Sequence, residues 1–151
     1  MIDQAAPDFT LAATGGRTIT LSALRGRPVV LYFYPKDNTP GCTTETQDFR
    51  DLYPQFEAAG CTVLGISRDS IKSHENFKDK LGLPFDLVSD AEEVACGLYG
   101  VIKMKNMYGK QVRGIERSTF VIDGAGVVRH VVRGVKVPGH AETILNVVKA
   151  L

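Results

Sequence analysis

Apolar runs of strand length alternate along this chain with longer stretches whose apolar residues recur every three or four positions. Residues 8–11 and 17–21 alternate apolar with polar, which predicts two short strands around the turn Thr14-Gly15-Gly16. Val29-Val30-Leu31-Tyr32-Phe33-Tyr34 is continuous, β-branched and aromatic, the pattern of a strand buried on both faces. A helix is expected from Gly41 or Cys42 to about Ala59, kinked at Pro54 and stopped by Gly60. Residues 61–67 read as a second buried strand. Residues 71–81 read as a helix ended by Gly82, and 85–88 as a short strand. Asp90, with Glu93 three residues on, resembles a capping box for a helix through Leu98. Residues 102–113 show no clear periodicity and read as a functional or mobile loop. Residues 118–122 and 127–133, joined by Asp123-Gly124-Ala125-Gly126, predict a hairpin. A last helix, about 140–150, turns Ile144, Leu145, Val147 and Val148 to the core.

Strands that alternate with helices, then a hairpin and a helix, imply an α/β protein: a central mixed sheet with helices on both faces. The order fits a thioredoxin-like fold with an added N-terminal β-hairpin. With 151 residues and no repeat or linker, residues 1–151 are expected to form one domain. A formal net charge of +1 and the lack of any basic block argue against nucleic-acid binding. The start carries an acid and no apolar core of a secretory signal, and the run at 29–34 is too short to span a bilayer. Three cysteines are too few, and oddly numbered, for a disulfide scaffold. They suit a reducing compartment, so a cytoplasmic location is expected.

Composition leaves the chemistry open; one cysteine narrows it. Cys42 closes the octapeptide Pro35-Lys36-Asp37-Asn38-Thr39-Pro40-Gly41-Cys42, between a buried strand and the first turn of a helix. Free backbone N–H groups and the positive end of the helix dipole favour an anion there. A thiol so placed tends towards the thiolate, its reactive form. Thr39 lies three residues earlier, where its hydroxyl can reach the same pocket. Pro40 presets the helix entry, Gly41 allows close backbone approach, and Pro35 can roof the sulfur against water. Arg117 opens a core strand; beside 29–34 its guanidinium would sit near the sulfur, although pairing with Asp86 or Glu116 is the alternative. Cys61 and Cys96 read as small buried hydrophobes. His74, His130 and His140 are scattered, none at ligand spacing from a cysteine, so no metal site is expected.

Pro35-x-x-x-Thr39-x-x-Cys42, with Arg117 in Gly114-Ile115-Glu116-Arg117-Ser118-Thr119-Phe120-Val121-Ile122-Asp123, resembles the active-site set of the peroxiredoxins. Residues 32–36 through Cys42-Thr43-Thr44-Glu45, with Gly65-Ile66-Ser67 and Asn106-Met107-Tyr108-Gly109-Lys110, resemble the bacterioferritin comigratory protein, or Q-type, subfamily. The resemblance runs from about Ala6 to the C-terminus. It implies a thiol peroxidase in which Cys42 is the peroxidatic nucleophile, Thr39 binds the peroxide, Pro35 shields the site and Arg117 stabilises thiolate and transition state. Gly41 and Glu45 become candidates for lining the substrate pocket. It implies no cofactor, a hydroperoxide substrate, and recycling by thioredoxin, glutathione with glutaredoxin, or another thiol. A monomer is expected.

One departure from the subfamily pattern matters. A resolving cysteine usual five residues after the nucleophile is Gln47 here, and one usual thirty-six residues on is Lys78. A one-cysteine cycle with an external thiol is therefore expected, Cys96 being the alternative resolver. Two other classes remain open. A thiol–disulfide oxidoreductase is opposed by the lack of any Cys-x-x-Cys. A non-catalytic redox sensor differs from an enzyme in failing to consume peroxide with dithiothreitol. Ile102, Met104, Met107 and Tyr108 suggest an apolar loop suited to organic hydroperoxides, or simple packing.

Overall fold

The computed structural model describes residues 1–151. Its strands are β1 (Thr10–Ala13), β2 (Arg17–Thr20), β3 (Val29–Phe33), β4 (Thr62–Ser67), β5 (Leu87–Ser89), β6 (Ile102–Met107), β7 (Lys110–Ile115), β8 (Ser118–Ile122) and β9 (Val128–Arg133). Its helices are α1 (Pro40–Ala58), α2 (Ile71–Leu81), α3 (Val94–Leu98) and α4 (His140–Lys149). Seven strands make one mixed sheet in the order β2-β1-β5-β4-β3-β8-β9. Strands β3, β4 and β5 run parallel, while β8 adds antiparallel to β3 and β1 antiparallel to β5. This is the thioredoxin-like arrangement with an N-terminal hairpin that the pattern predicts.

Every residue of β3 is buried because both faces of the sheet are covered. Val29, Leu31 and Phe33 point to one side, with Phe9, Leu21, Cys96, Tyr99 and Phe120. Val30, Tyr32 and the following Tyr34 point to the other, with Phe49 and Phe56 of α1, Phe77 of α2, and Ile144, Leu145 and Val148 of α4. Burying each such side chain contributes roughly 1.5–3 kcal/mol, so α1 is held firmly against the sheet and its neighbour α4. Cys42 and Cys61 belong to this helix-covered side, and Cys96 to the opposite one.

Helix α1 starts at Thr39, the N-cap residue, with Pro40 in its first turn. It runs on through Pro54. Its end is a left-handed Gly60 (φ 73°), with Gly60 N–H donating to the Glu57 carbonyl and Cys61 N–H to that of Phe56.

Two expectations are corrected. Residues 102–113 are no loop: β6 and β7 form an antiparallel ribbon, paired from Ile102 with Ile115 to Met107 with Lys110. The ribbon stands clear of the main sheet, so neither face imposes apolar alternation. Its turn uses positive φ at Tyr108 and Gly109, and tyrosine is a poor signal for such a turn. The capping box also fails. Asp90 does cap α3, accepting from Val94 N–H and Cys96 N–H, each at 2.7 Å. Glu93 does not reciprocate; it sits at φ 60° and turns its carboxylate to Arg68 and Arg113.

Candidate active site

Cys42 is the third residue of α1 and is 1% exposed. The N–H groups of this first turn have no partner one turn earlier within the helix, so they and the positive end of the helix dipole lie at the turn that carries Cys42. The β3–β8 pairing places Arg117, just ahead of β8, beside the end of β3. From there its Nη2 donates to Cys42 Sγ at 3.4 Å, and its Nη1 to Glu45 Oε1 at 2.8 Å. Of the alternative partners for Arg117, Asp86 pairs with Arg17 and Lys78 instead. Glu45 lies one turn along α1 from Cys42, so the sulfur and the carboxylate share one guanidinium fork.

Gly41 lies against Arg117. A Cβ at this position would stand 3.2 Å from Arg117 Nη2. The missing side chain therefore admits the guanidinium to the sulfur. Thr39 donates its hydroxyl proton to the Lys36 carbonyl at 2.8 Å. That commitment leaves the oxygen lone pairs free to accept a proton donor, such as a peroxide O–H. Pro35 lies two residues past the end of β3 and is half-buried.

Burial is the main electrostatic force on Glu45. It pushes the carboxyl up to about 7, against the opposing pull of Arg117 and with a further push from Asp48. Glu45 Oε2 is buried with no hydrogen-bond partner. Arg117 itself is lowered by burial, but Glu45 and Cys42 outweigh this and hold it above its ordinary value. Burial, then the nearness of Arg117, lowers Lys105, whose ammonium donates to the Ile115 carbonyl. The basic ribbon β6–β7 thus has its root beside the site. His140, whose Nε2 lies 2.8 Å from Thr119 Oγ1, is lowered to about 4 by burial, His130 and Arg117.

The other two thiols differ in kind. Burial pushes Cys61 up to about 12 and raises Cys96 still more, aided by Asp90. The sheet separates Cys96 from Cys42. All three cysteines are free thiols. Met104, Met107 and Tyr108, considered above as an apolar loop, are exposed on the ribbon, and Tyr108 is wholly so. The hollow of about 260 Å³ near α1 is lined by Asp48, Asp51, Leu52, Gly139, Ala141 and Glu142, away from Cys42.

Sequence reasoning names Cys42, Thr39, Arg117, Pro35, Gly41 and Glu45, of which the structure joins Arg117 to Cys42 and Glu45; it does not single out Lys105 or the pair Asp37–His74. Asp37 is visible in the octapeptide yet reads as a turn residue. The spacing of His74 from it gives no local signal.

A lone cysteine at a helix start, faced by an arginine just ahead of the neighbouring strand of a thioredoxin-like sheet, is the arrangement expected of a thiol peroxidase. The chain belongs to the AhpC/TSA family, whose model matches residues 2–131, and within it to the Bcp, or Q-type, peroxiredoxins. It is 55% identical over 143 residues to peroxiredoxin Bcp of Xanthomonas campestris, covering 95% of this chain and 89% of that one. A solved structure of the Xanthomonas campestris bacterioferritin comigratory protein, a trapped intermediate and ligand complex bearing on its alkyl peroxide reduction activity, superposes with a TM-score of 0.90. The two share 54% identity over 94% of this chain and 90% of that one. A PrxQ variant from Xylella fastidiosa superposes with a TM-score of 0.94 at 48% identity, over 99% of this chain and 96% of that one. Two other Xanthomonas structures are cysteine-to-serine variants at positions thirty-six residues apart. The same spacing from Cys42 ends here on Lys78.

Proposed function

We propose that this chain reduces hydroperoxides through Cys42 and is recycled by an external thiol, in a one-cysteine cycle. The single observation that carries this is the buried Cys42 sulfur at the start of α1 with Arg117 Nη2 3.4 Å away. In the first step the thiolate attacks the terminal peroxide oxygen. An S–O bond forms, the O–O bond breaks, and the leaving oxygen departs as water or alcohol after taking a proton. Negative charge moves from sulfur onto that oxygen, and Arg117 spans both ends of the transfer. Thr39 accepts from the peroxide O–H and fixes its line of approach. Pro35 limits water above the sulfur. Glu45 holds the guanidinium from behind and Gly41 gives it room.

The sulfenic acid on Cys42 then meets a thiol. An S–S bond forms, the S–O bond breaks, and water leaves; a second thiol releases Cys42 and carries away the disulfide. Gln47 and Lys78 supply no internal thiol, and Cys96 lies across the sheet, which supports an external donor. A disulfide needs Cα atoms within about 7 Å, so Cys96 could serve only after the sheet or α3 had moved. We place thioredoxin or glutathione with glutaredoxin as the donor, in the cytoplasm, with residues 1–151 working as one domain and as a monomer. No helix is long and apolar enough to cross a membrane. The test is peroxide consumption with dithiothreitol. We expect turnover in the wild type and in Cys96→Ser and Cys61→Ser, and none in Cys42→Ser. Turnover surviving in Cys42→Ser refutes the proposal.

A further inference from the structure

Residues 102–115, the ribbon of β6 and β7, carry four cations, Lys103, Lys105, Lys110 and Arg113, and no acid. The whole chain has a formal net charge of +1, so the remainder is net acidic and positive charge is gathered on this arm. Lys103 pairs with Gly114, Lys105 with Val112 and Met107 with Lys110, which puts all three lysines on one face of the ribbon. That face also carries Met107 and Val112, which are 49% and 42% exposed. Arg113 lies on the other face and is spent on Glu93, a carboxylate it shares with Arg68. The three lysines form no ion pair.

Lys105 ties this face to the sulfur. Its half-buried ammonium donates to the Ile115 carbonyl, two residues ahead of Arg117, whose guanidinium reaches Cys42 Sγ at 3.4 Å. That bond uses one of three ammonium donors, and no carboxylate answers the charge. Burial, Arg117 and Arg68 act against the charge, while Cys42 and Glu116 support it. Arg117 is differently placed, because Glu45 already takes half of its fork. Glu116 forms no ion pair, and its Oε2 stands 3.9 Å from where a Cβ on Gly134 would lie. Lys105 is thus a cation near the reacting atom with donors to spare.

We propose that Lys105, with Lys103 and Lys110 along the same face, is the anchor for a carboxylate carried by the reducing thiol, so that the anion docks on the ribbon and the thiol sulfur reaches Cys42. The anchor rests on the external-thiol cycle above and names the class of its donor. The chemistry of the sulfur decides between thiol and peroxide. The thiolate that attacks a peroxide is itself an anion; it offsets the nearby cations and repels an anionic reactant. The sulfenic acid, Cys42–S–OH, carries no such charge, so the cations draw an anion most strongly when the thiol is due. The step is Cys42–S–OH plus R–SH giving Cys42–S–S–R plus water, with the carboxylate on R. The thiol sulfur is oxidised, the Cys42 sulfur is reduced, and the thiol proton leaves with the hydroxyl. Met107 and Val112 give the carbon chain of R an apolar surface to lie on.

The test compares an anionic with a neutral thiol. Sulfenic acid is preformed with one equivalent of hydrogen peroxide and mixed at neutral pH and low salt with 3-mercaptopropionate or 2-mercaptoethanol. Rapid quench and mass spectrometry then follow the mixed disulfide on Cys42. Each thiol is compared with itself across the variants, so its own thiolate fraction and nucleophilicity cancel. We expect the rate ratio of 3-mercaptopropionate to 2-mercaptoethanol to fall about fivefold in Lys105→Gln and about twofold in Lys103→Gln and in Lys110→Gln, the scale of single ion pairs near a surface. Lys105→Arg should keep most of the ratio, and added salt should shrink it in the wild type. If Lys105→Gln folds poorly, the two exposed-lysine variants and the salt dependence decide. A ratio that Lys105→Gln or salt leaves unmoved overturns the anchor. So does equal slowing with both thiols, the mark of a ribbon displaced by loss of the bond to Ile115. If the rate with monoperoxyphthalate falls relative to hydrogen peroxide while the thiol ratio stands, the lysine serves the oxidant, and the proposal is again overturned. A wild type that forms no mixed disulfide with either thiol overturns the external-thiol cycle instead.

Discussion

Replacing Glu45 by glutamine isolates the one carboxyl that burial and Arg117 pull in opposite directions. Burial wins, and the folded-state value of about 7 stands above the ordinary 4.5. A raised value has a definite consequence for stability. The folded protein binds a proton here that the unfolded chain has already lost between these two values. The contribution of Glu45 is therefore fully present below pH 4.5 and is lost as pH rises through about 7. Each unit of difference is worth about 1.4 kcal/mol, so the loss is at most about 3.5 kcal/mol. Glutamine can keep an acceptor for Arg117 Nη1 and carries no charge to bury. Urea unfolding of both proteins, with reductant present, across this pH range reads the difference directly. We expect wild-type stability to fall relative to Glu45→Gln as pH rises, then to level off. Parallel curves, or a wild type that gains on the variant, would mean that Arg117 outweighs burial, and the reasoning would be wrong.

Arg117→Ala should slow the peroxide step roughly a hundredfold or more, the usual effect of losing a preorganised donor to developing charge; stopped-flow rates near those of wild type would remove Arg117 from the mechanism. Thr39→Val should lose a comparable factor while Thr39→Ser keeps most of the rate, because only the hydroxyl oxygen is used. Gly41→Ala should cost peroxide reactivity with little change in unfolding midpoint, since its Cβ would meet Arg117 Nη2 at 3.2 Å while Glu45 restrains the guanidinium from retreating. An Ala variant as reactive as wild type would show that the fork adapts freely.

How far the sequence reveals this molecule depends on how locally each feature is encoded. Residues 29–34 are read correctly because a strand buried on both faces is continuously apolar. The helix start, expected at Gly41 or Cys42 and found at Pro40, follows from proline and glycine at fixed offsets. Arg117 is found because a permanent cation at the head of a core strand demands an anion, although its other partner, Glu45, is not evident until α1 is wound. The ribbon of β6 and β7 is missed because two strands paired only with each other bury too little to impose a period, and Tyr108 hides the turn. The Asp37–His74 pair is missed for a different reason. It joins residues 37 positions apart, through the packing of α2 against the site loop. The short α3 is misread because Glu93 is drawn to Arg68 and Arg113, two cations brought near only by the fold.

In the proposed cycle Cys42 alone carries the chemistry, and its oxidised form is resolved from outside. Mass spectrometry with non-reducing peptide mapping, after one equivalent of hydrogen peroxide and then with or without glutathione, tests it most directly. We expect a single added oxygen on the Cys42 peptide, replaced by a mixed disulfide when glutathione is present, with Cys61 and Cys96 still free thiols. A dominant bridge between Cys42 and Cys96, with turnover lost in Cys96→Ser, would contradict the account.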